Sequence, residues 1–284
     1  MASGTLYVVA TPIGNLEDLS PRALRILREA AVIAAEDTRV TRKLLSHFDV
    51  HTPLTSYHAH SGSARAEALI ERLQSGEDVA LVSDAGTPGV SDPGGELVRD
   101  AAAAGVRVVP IPGPSAVVAA LSASGLDPSR FLFEGFLPRG KGDRRKVLER
   151  LRALPHTLVF YESAERLVGT LAGLREVLGD RPAAVARELS KKFEEVVRGP
   201  LSSLEATFTE RAARGECVVV VAGSDGEAPE PPPEVEVDAL LEQLLSEGQS
   251  VRDAARAAAE RTGLARRDLY ARAQRIVEGL GSRG

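Results

Sequence analysis

Aromatic residues are scarce in this chain: tryptophan is absent, and the aromatic residues together make up only 4% of the sequence. The hydrophobic content of 43% is nevertheless ordinary for a globular protein, so we expect a core built mainly from alanine, valine and leucine. The shortage of aromatic side chains also argues against base stacking as the main grip on any nucleic acid.

Cysteine is rarer still, and the one present, Cys217, lies in the apolar run CVVVVAG. A single cysteine excludes an internal disulfide and a zinc cluster held by thiolates, and its apolar surroundings predict a buried, inert thiol. The chain also lacks an apolar run approaching the roughly 20 residues of a membrane span. No basic segment precedes the first apolar run, so we predict no signal peptide and a cytoplasmic location.

Positive charge is concentrated in two segments of a chain whose formal net charge is −5. One is the segment RGKGDRRKVLERLR at 139–152, and the other is the arginine-rich tail at 251–284. An acidic protein with local basic surfaces is not a general nucleic-acid coat, but it can contact phosphates at those surfaces. A solvated helix face is the alternative interpretation of both segments.

Apolar runs of strand type alternate with helical patterns along most of the chain. This alternation predicts an α/β fold, with largely parallel sheets that are buried on both faces. The runs occupy 6–10, 31–35, 79–83, 106–111, 131–136, 157–161, 183–189 and 217–223.

Two segments rich in proline and glycine divide the chain. PIPGPSA at 110–116 marks a crossing between two α/β domains, and GSDGEAPEPPPEVE at 223–236 has the composition of a stiff linker. The residues after it have a wholly helical pattern. These features predict an N-terminal α/β domain over 1–113, a second α/β domain over 114–225, a Pro-rich linker over 226–236 and a small helical domain over 237–284.

Two turns of the first domain could hold a ligand. TPIGNLEDLS at 11–20 lacks both the three glycines of a dinucleotide fingerprint and the Gly-Lys-Ser/Thr of a P-loop, so it is not built for a pyrophosphate or triphosphate. A plain strand-to-helix turn, capped by Ser20, is the alternative. SDAGTPGVSDPGGE at 83–96 is rich in glycine, which permits close approach by a ligand, and Asp84 follows a strong strand.

Charged residues also follow other strands of the predicted fold. ARELSKKFEE at 186–195 is either a solvated charge cluster or a charged pair that faces a cleft. Asp37 lies on another loop, as do His58 and His60, which are two histidines without a nearby third ligand and therefore a poor metal site. We expect no bound metal.

Eight segments of the sequence together resemble a known family: VVATPIGNLEDLSPRAL, AEDTRVTRKLL, LVSDAGTPGVSDPG, PIPGPSA, EGFLPR, FYESAERL, ARELSKKFEE and CVVVVAG. In these segments the chain resembles the tetrapyrrole-methylase superfamily, and within it the ribosomal RNA small-subunit methyltransferase I branch. The resemblance covers about residues 5–223, and RRDLY at 266–270 is similar to the tail of that branch. The chain departs from the family's usual His-x-x-Asn pattern, because His58 is present but Ser61 stands where asparagine is expected.

The resemblance implies two α/β domains with S-adenosylmethionine in the cleft between them. It also implies a homodimer, and methyl transfer to the ribose 2′-hydroxyl of a cytidine in the decoding region of small-subunit rRNA. The residues that it places around the cofactor are Thr11, Pro12, Ile13, Gly14, Asp84, Ala85, Gly86, Thr87, Val90, Ser115, Ala116, Ala186, Arg187 and Leu189.

A ribose hydroxyl is a poor nucleophile, so it needs a base or a neighbouring cation that favours the alkoxide. Asp37, His58, Glu188 and Lys191 are candidates. Our hypothesis is that Glu188 or Asp37 accepts the proton, while Arg187 or Lys191 stabilises the developing negative charge. We expect RNA phosphates to contact the cations Arg139, Lys141, Arg144, Arg145, Lys146, Arg266, Arg267, Arg272 and Arg275.

Two other functions compete with this interpretation. One is methylation of a tetrapyrrole carbon in cobalamin or sirohaem synthesis, although a small macrocycle has no need of the two basic segments. The other is a scaffold that binds RNA without chemistry, although glycine-rich loops at several strand ends argue against it. Naked rRNA and the assembled subunit both remain open as substrates, and we expect no DNA or membrane partner.

Overall fold

The computed structural model describes residues 3–58, 61, 63–224, 234–262, 264 and 266–281. The chain divides into two compact units, Met1–Gly223 and Ser224–Gly284. No helix within the described residues combines the length and the apolar character that crossing a membrane requires.

The first sheet of the larger unit is parallel throughout, with the strand order β3-β2-β4-β1-β5. Alternate residues of its central strands pack into two separate apolar clusters, one on each face, so these strands are apolar without alternation. The strands are β1 (Thr5–Val9), β2 (Val32–Ala35), β3 (Leu54–Ser56), β4 (Val79–Val82) and β5 (Arg107–Ile111), and the helices are α1 (Pro21–Glu29), α2 (Thr38–His47), α3 (Ser63–Gln74) and α4 (Gly95–Ala103).

The second sheet has the strand order β6-β7-β10-β8-β9. Helix α5 covers one face, and α6, α7 and α8 cover the other. Its strands are β6 (Phe131–Phe136), β7 (Thr157–Ser163), β8 (Pro182–Arg187), β9 (Glu195–Pro200) and β10 (Glu216–Val221), and its helices are α5 (Ala116–Ser124), α6 (Lys141–Leu151), α7 (Ala164–Leu178) and α8 (Leu201–Glu210).

The expectation of largely parallel sheets is wrong for this second sheet. Only β6 and β7 run parallel, whereas β10 is antiparallel to both β7 and β8, and β9 is antiparallel to β8. The short connection at 188–194 forces β9 to return beside β8, because a parallel crossover needs a dozen or more residues. Strands β3 and β9 have no counterpart among the apolar runs of the sequence, since both lie at sheet edges and are only partly buried.

The smaller unit consists of three helices around a core of leucine, alanine and valine side chains. Helix α9 begins at Glu234, inside the segment assigned to the linker, and 226–233 lie outside the described residues. The helices are α9 (Glu234–Ser246), α10 (Val251–Thr262) and α11 (Arg266–Gly281), and their core contains Val237, Leu241, Leu244, Ala254, Ala255, Ala258, Leu269 and Ala273.

Candidate functional site

A cavity of about 370 Å³ opens in the larger unit where loops of both sheets meet. The first sheet contributes loops that follow β1, β2 and β4, at the carboxyl edge where parallel sheets hold ligands. The second sheet contributes the last residues of β6, β7 and β8 together with the first residues of β10. Ten residues assigned to the cofactor line this cavity: Ile13, Asp84, Ala85, Gly86, Thr87, Val90, Ser115, Ala116, Ala186 and Leu189.

The turn after β1 is joined to the glycine-rich loop after β4. Thr11 and Gly86 exchange both backbone hydrogen bonds, at 2.9 and 3.0 Å, and the Thr11 hydroxyl donates to the Ser83 carbonyl at 3.1 Å. Thr11 is buried beneath the turn, and neither Thr11 nor Pro12 lines the cavity, whereas Ile13 does. The two loops therefore form one rigid wall.

The single glycine of the first turn, Gly14, has a steric role. A Cβ at this position would lie 2.4 Å from the Lys191 Cγ and 3.0 Å from the Leu189 carbonyl oxygen. The loop after β8 therefore lies directly against this turn, and a hydrogen bond from the Ser190 hydroxyl to the Asp18 carboxylate joins the two. Gly14 itself does not line the cavity, so it permits the approach of two loops.

Glu188 and Lys191 form a charged pair at the cavity. The Lys191 Nζ donates to the Glu188 Oε1 at 2.9 Å and to the Glu216 Oε2 at 3.0 Å, and the backbone N–H of Glu216 donates to the same Glu188 oxygen at 3.3 Å. The hydrogen bond from Lys191 lowers the pKa of Glu188. Although burial opposes it, hydrogen bonding to both carboxylates raises the pKa of Lys191. Glu188 is therefore held ionised and is a weak base.

The other predicted catalytic residues do not line the cavity. Arg187 pairs with Glu195 at 3.2 Å and donates to the Arg214 carbonyl at 3.3 Å. The backbone N–H of His58 donates to the Ser61 hydroxyl at 2.9 Å, on a loop beyond the cavity lining. His60 lies outside the described residues.

Asp37 caps helix α2 instead of reaching the cavity. Its carboxylate accepts the backbone N–H of Arg39 at 2.8 Å and the Arg39 guanidinium at 2.6 Å. These hydrogen bonds lower the pKa of Asp37 to about 2, which makes it a poor base near neutral pH. The backbone N–H of Asp37 donates to the Asp84 Oδ1 at 3.0 Å, so this cap supports the cavity wall.

Three other carboxylates, those of Glu36, Asp84 and Asp92, line the cavity, and none forms a salt bridge with a described residue. Burial raises the pKa of all three. Neighbouring carboxylates raise it further, through the charge of Asp37 for Asp84, of Asp84 for Asp92, and of Asp92, Asp84 and Asp37 for Glu36. Only Asp84 is among the residues predicted from sequence. Glu36 directly follows the buried strand β2, as Asp84 follows β4, so the same signal identifies it.

The wall that the second sheet contributes contains aromatic and apolar residues beside its charged ones. Phe136 and Tyr161 lie at its edge with their ring centroids 5.5 Å apart, and the buried residues Cys217 and Val218 form part of its floor. The sequence pattern missed this wall, because β10 is antiparallel and presents its first residues to the cavity. The lining residues absent from the prediction are Glu36, Ser91, Asp92, Phe136, Tyr161, Glu162, Ser163, Glu216, Cys217 and Val218.

Cys217 is expected to resist alkylation in the folded protein. Burial raises the pKa of its thiol to about 12 from the reference value of 9.0, which leaves about 1,000-fold less of the reactive thiolate. Iodoacetamide labelling at pH 8, followed by mass spectrometry, measures this in folded and in guanidinium-unfolded protein. Because the chain has one cysteine, equal labelling of both samples contradicts the prediction.

The predicted RNA-binding cations of the larger unit differ in their partners. Arg145 forms salt bridges with Glu149 and Glu176, and Lys146 pairs with Asp143. The remaining three of this set, Arg139, Lys141 and Arg144, form no salt bridge with any described residue. Arg139 and Lys141 are exposed directly after β6, whereas Arg144 lies against Gly173 of α7.

The predicted cations of the smaller unit lie on α11. Arg266 and Arg267 are exposed in its first turn. Arg272 is only 3.7 Å from the Asp238 carboxylate, and the Arg275 guanidinium donates to the Ala271 carbonyl. Of these four cations, Arg266, Arg267 and Arg275 are therefore exposed to a polyanion, whereas Arg272 is only partly exposed.

Comparison with known families and proteins gives consistent matches. The family described as Tetrapyrrole (Corrin/Porphyrin) Methylases matches residues 5–205, and the RsmI C-terminal HTH domain matches residues 231–276. The chain is 51% identical to ribosomal RNA small subunit methyltransferase I of Pseudomonas aeruginosa, over 96% of this chain and 98% of the relative. It is 50% identical to the protein of the same name from Xylella fastidiosa, over 94% and 98%.

Solved structures share the fold of the larger unit. Uroporphyrin-III C-methyltransferase from Thermus thermophilus, complexed with S-adenyl homocysteine, superimposes with a TM-score of 0.55 at 24% sequence identity. The match covers 77% of this chain and 97% of that one. At this identity the likeness concerns the fold alone.

Proposed function

Since this chain belongs to the tetrapyrrole methylase family, and within it to the ribosomal RNA small subunit methyltransferase I branch, we propose that it methylates small-subunit ribosomal RNA with S-adenosylmethionine. The finer assignment is methyl transfer to the ribose 2′-hydroxyl of a cytidine in the decoding region. We place this activity in the cytoplasm and assign it to a homodimer, which sedimentation of the purified protein would test.

The charge of the cavity carries the cofactor assignment. Among the described residues its lining contains six carboxylates, those of Glu36, Asp84, Asp92, Glu162, Glu188 and Glu216, and one cation, Lys191. S-adenosylmethionine supplies a methyl group on a cationic sulfonium that is an excellent leaving group. An acidic cavity with small and apolar floor residues fits such a cation, and its volume lies within the range of small-molecule sites.

The protein's contribution to the reaction is orientation and removal of one proton. Holding the hydroxyl in line with the methyl group is the largest effect that a protein can supply when the leaving group is already good. The hypothesis from sequence gives the proton to Glu188 or Asp37, but both carboxylates are held ionised by cations. We now assign the proton to the group of Glu36, Asp84 and Asp92, whose raised pKa values suit a general base.

Mass spectrometry of small-subunit rRNA from cells with and without the gene tests this proposal. A missing 2′-O-methyl group that returns on complementation supports it, and unchanged rRNA contradicts it. Purified protein assayed with naked rRNA and with assembled subunits distinguishes the two substrates. Binding heat with S-adenosylmethionine excludes an inert scaffold, and methylation of a tetrapyrrole instead of rRNA would support the competing activity.

The basic segment after β6 allows a matched pair of RNA-binding variants. We expect Arg139→Ala/Lys141→Ala to weaken RNA binding and to lower the slope of log K against log salt by about 1 for each phosphate that the protein no longer neutralises. Arg145→Ala/Lys146→Ala removes the same charge from residues that already pair with carboxylates, so we expect a smaller effect. Filter binding at several salt concentrations measures both, and an equal or larger effect in the second variant contradicts the assignment.

A further inference from the structure

Strand β6 contains a bulge that changes the direction of the Phe136 side chain. The register with β7 shifts between Phe133 and Gly135, where Gly135 adopts a positive φ of 79°. Phe133 and Phe136 are three residues apart, so a regular strand would place them on opposite faces. The bulge instead brings both rings against Tyr161, at centroid distances of 4.8 and 5.5 Å.

The bulge lies against the first sheet's glycine-rich loop. A Cβ on Gly135 would lie 3.0 Å from the Ser91 hydroxyl oxygen, so the two segments are in close contact at the edge of the cavity. Phe136 lines the cavity and remains 57% exposed, whereas the floor residues Ala186 and Val218 are 1% and 4% exposed. The ring is thus a fixed apolar surface at the mouth, open to a second ligand.

We propose that Phe136 is the platform on which the base of the target nucleotide stacks while its ribose enters the cavity. This inference rests on the proposed function. A reacting nucleotide within folded RNA must leave its stack to enter an enclosed site, and an aromatic face compensates for the stacking it loses. Arg139 and Lys141 follow Phe136 by three and five residues, exposed and without a salt bridge to any described residue, where they would contact the adjoining phosphates.

This role is compatible with the scarcity of aromatic residues. Stacking of one base positions a single nucleotide, while the basic segments supply the sequence-independent affinity for RNA. Phe136 is therefore a substrate-positioning residue. Its removal would raise the KM for RNA and leave S-adenosylmethionine affinity unchanged.

The absence of tryptophan from the chain permits a direct test. Phe136→Trp introduces the only indole, and we expect its fluorescence to be quenched by substrate rRNA or subunits but not by S-adenosylmethionine alone. Phe131→Trp is the matched control, because Phe131 is 44% exposed on the same strand but does not line the cavity. Quenching by the cofactor alone, equal quenching in both variants, or no quenching by RNA would overturn the proposal.

A kinetic pair completes the test. We expect Phe136→Ala to raise the KM for RNA by about 5- to 150-fold, the range that base–aromatic stacking energies correspond to, while Phe131→Ala changes it less than twofold. A changed sedimentation coefficient in Phe136→Ala would instead make this ring part of a contact between copies of the chain. If the wild-type protein methylates rRNA and Phe136→Ala retains the wild-type KM for RNA, the stacking role of Phe136 is wrong and the proposed function stands. If the wild-type protein does not methylate rRNA, the proposed function itself fails.

Discussion

Replacement of Asp92 by asparagine is expected to lower the kcat for methyl transfer by about 100- to 10,000-fold, the usual contribution of a general base. Asp92 is the preferred base of the acidic group because the other two carboxylates hold the loops together. Asp84 accepts the backbone N–H of Asp37 at 3.0 Å, and Glu36 accepts that of Asp84 at 3.4 Å. Asp92 accepts a hydrogen bond from the Ser83 side chain and lies close enough to Tyr161 for its charge to help raise the pKa of that phenol.

The pH dependence of kcat tests this assignment, because it shows in which direction activity changes with pH. Burial raises the pKa of Asp92, and the charge of Asp84 raises it further, although the hydrogen bond from Ser83 opposes both. The base works only when ionised, so activity should fall as the pH decreases through this raised pKa, above the usual range of an aspartate. Asp92→Asn should remove that acid limb from the profile. Glu36→Gln is the control and should keep the acid limb. An Asp92→Asn profile that matches the wild-type profile contradicts the assignment.

The stability of the same variant provides an independent check. An aspartate whose pKa is higher in the folded state than in the unfolded chain destabilises the fold at neutral pH, and this penalty disappears as the pH falls. Asp92→Asn should therefore unfold at the same temperature as the wild type or a higher one at pH 7. Loss of activity together with a clearly lower Tm would indicate structural damage. S-adenosylmethionine affinity, measured by calorimetry, separates a defect in chemistry from a defect in binding.

Four of the five strands of the first sheet, all except β3, could be predicted from the sequence because they obey a simple rule. Each buried strand is a short apolar run, and polar residues such as Asp84 follow it at the carboxyl edge. The contribution of the second sheet could not be predicted in this way. Strand order and direction are long-range properties, and the antiparallel β10 turns its amino end, at Glu216 and Cys217, toward the cavity.

Two further features of the site depend on contacts between loops that are distant in sequence. The role of Gly14 follows from the position of Lys191, and the direction of Phe136 follows from the bulge at Gly135. Neither feature can be recognised from the local sequence, because a glycine can occur in a turn or in a strand for many reasons. The resemblance of whole segments to a known family predicted most of the loop residues that line the cavity, but of the three acidic residues it gave only Asp84, and it did not give Phe136.

Replacement of Gly215 by alanine is expected to lower the free energy of unfolding by about 2–4 kcal/mol and to reduce methyl transfer about tenfold or more. Gly215 has a φ of 81°, and a Cβ there would lie 2.0 Å from the Glu188 Oε1 and 2.3 Å from its Cδ. The methyl group would displace the Glu188 carboxylate, and Lys191 would lose one of its two partners at the cavity. The loop that carries Leu189 would then lose one of its hydrogen bonds to β10, the one that the Glu216 backbone N–H donates to the Glu188 carboxylate.

Gly105→Ala is the matched control, because Gly105 has a φ of 73° and nothing within 4 Å of an added Cβ. It should show the cost of the left-handed backbone alone, about 1–2 kcal/mol, with normal activity. In a double-mutant cycle, Glu188→Ala removes the carboxylate that the new methyl group would meet, so the two changes should be strongly non-additive in unfolding free energy. Additive losses of unfolding free energy would show that the Glu188 carboxylate does not need the space left by Gly215. A Gly215→Ala variant no less stable than Gly105→Ala would show the same. If the double variant Gly215→Ala/Glu188→Ala regains stability without regaining methyl transfer, that result would separate two roles of the contact between Gly215 and Glu188, because the fold needs only the space, while the cavity also needs Lys191 to be held by Glu188.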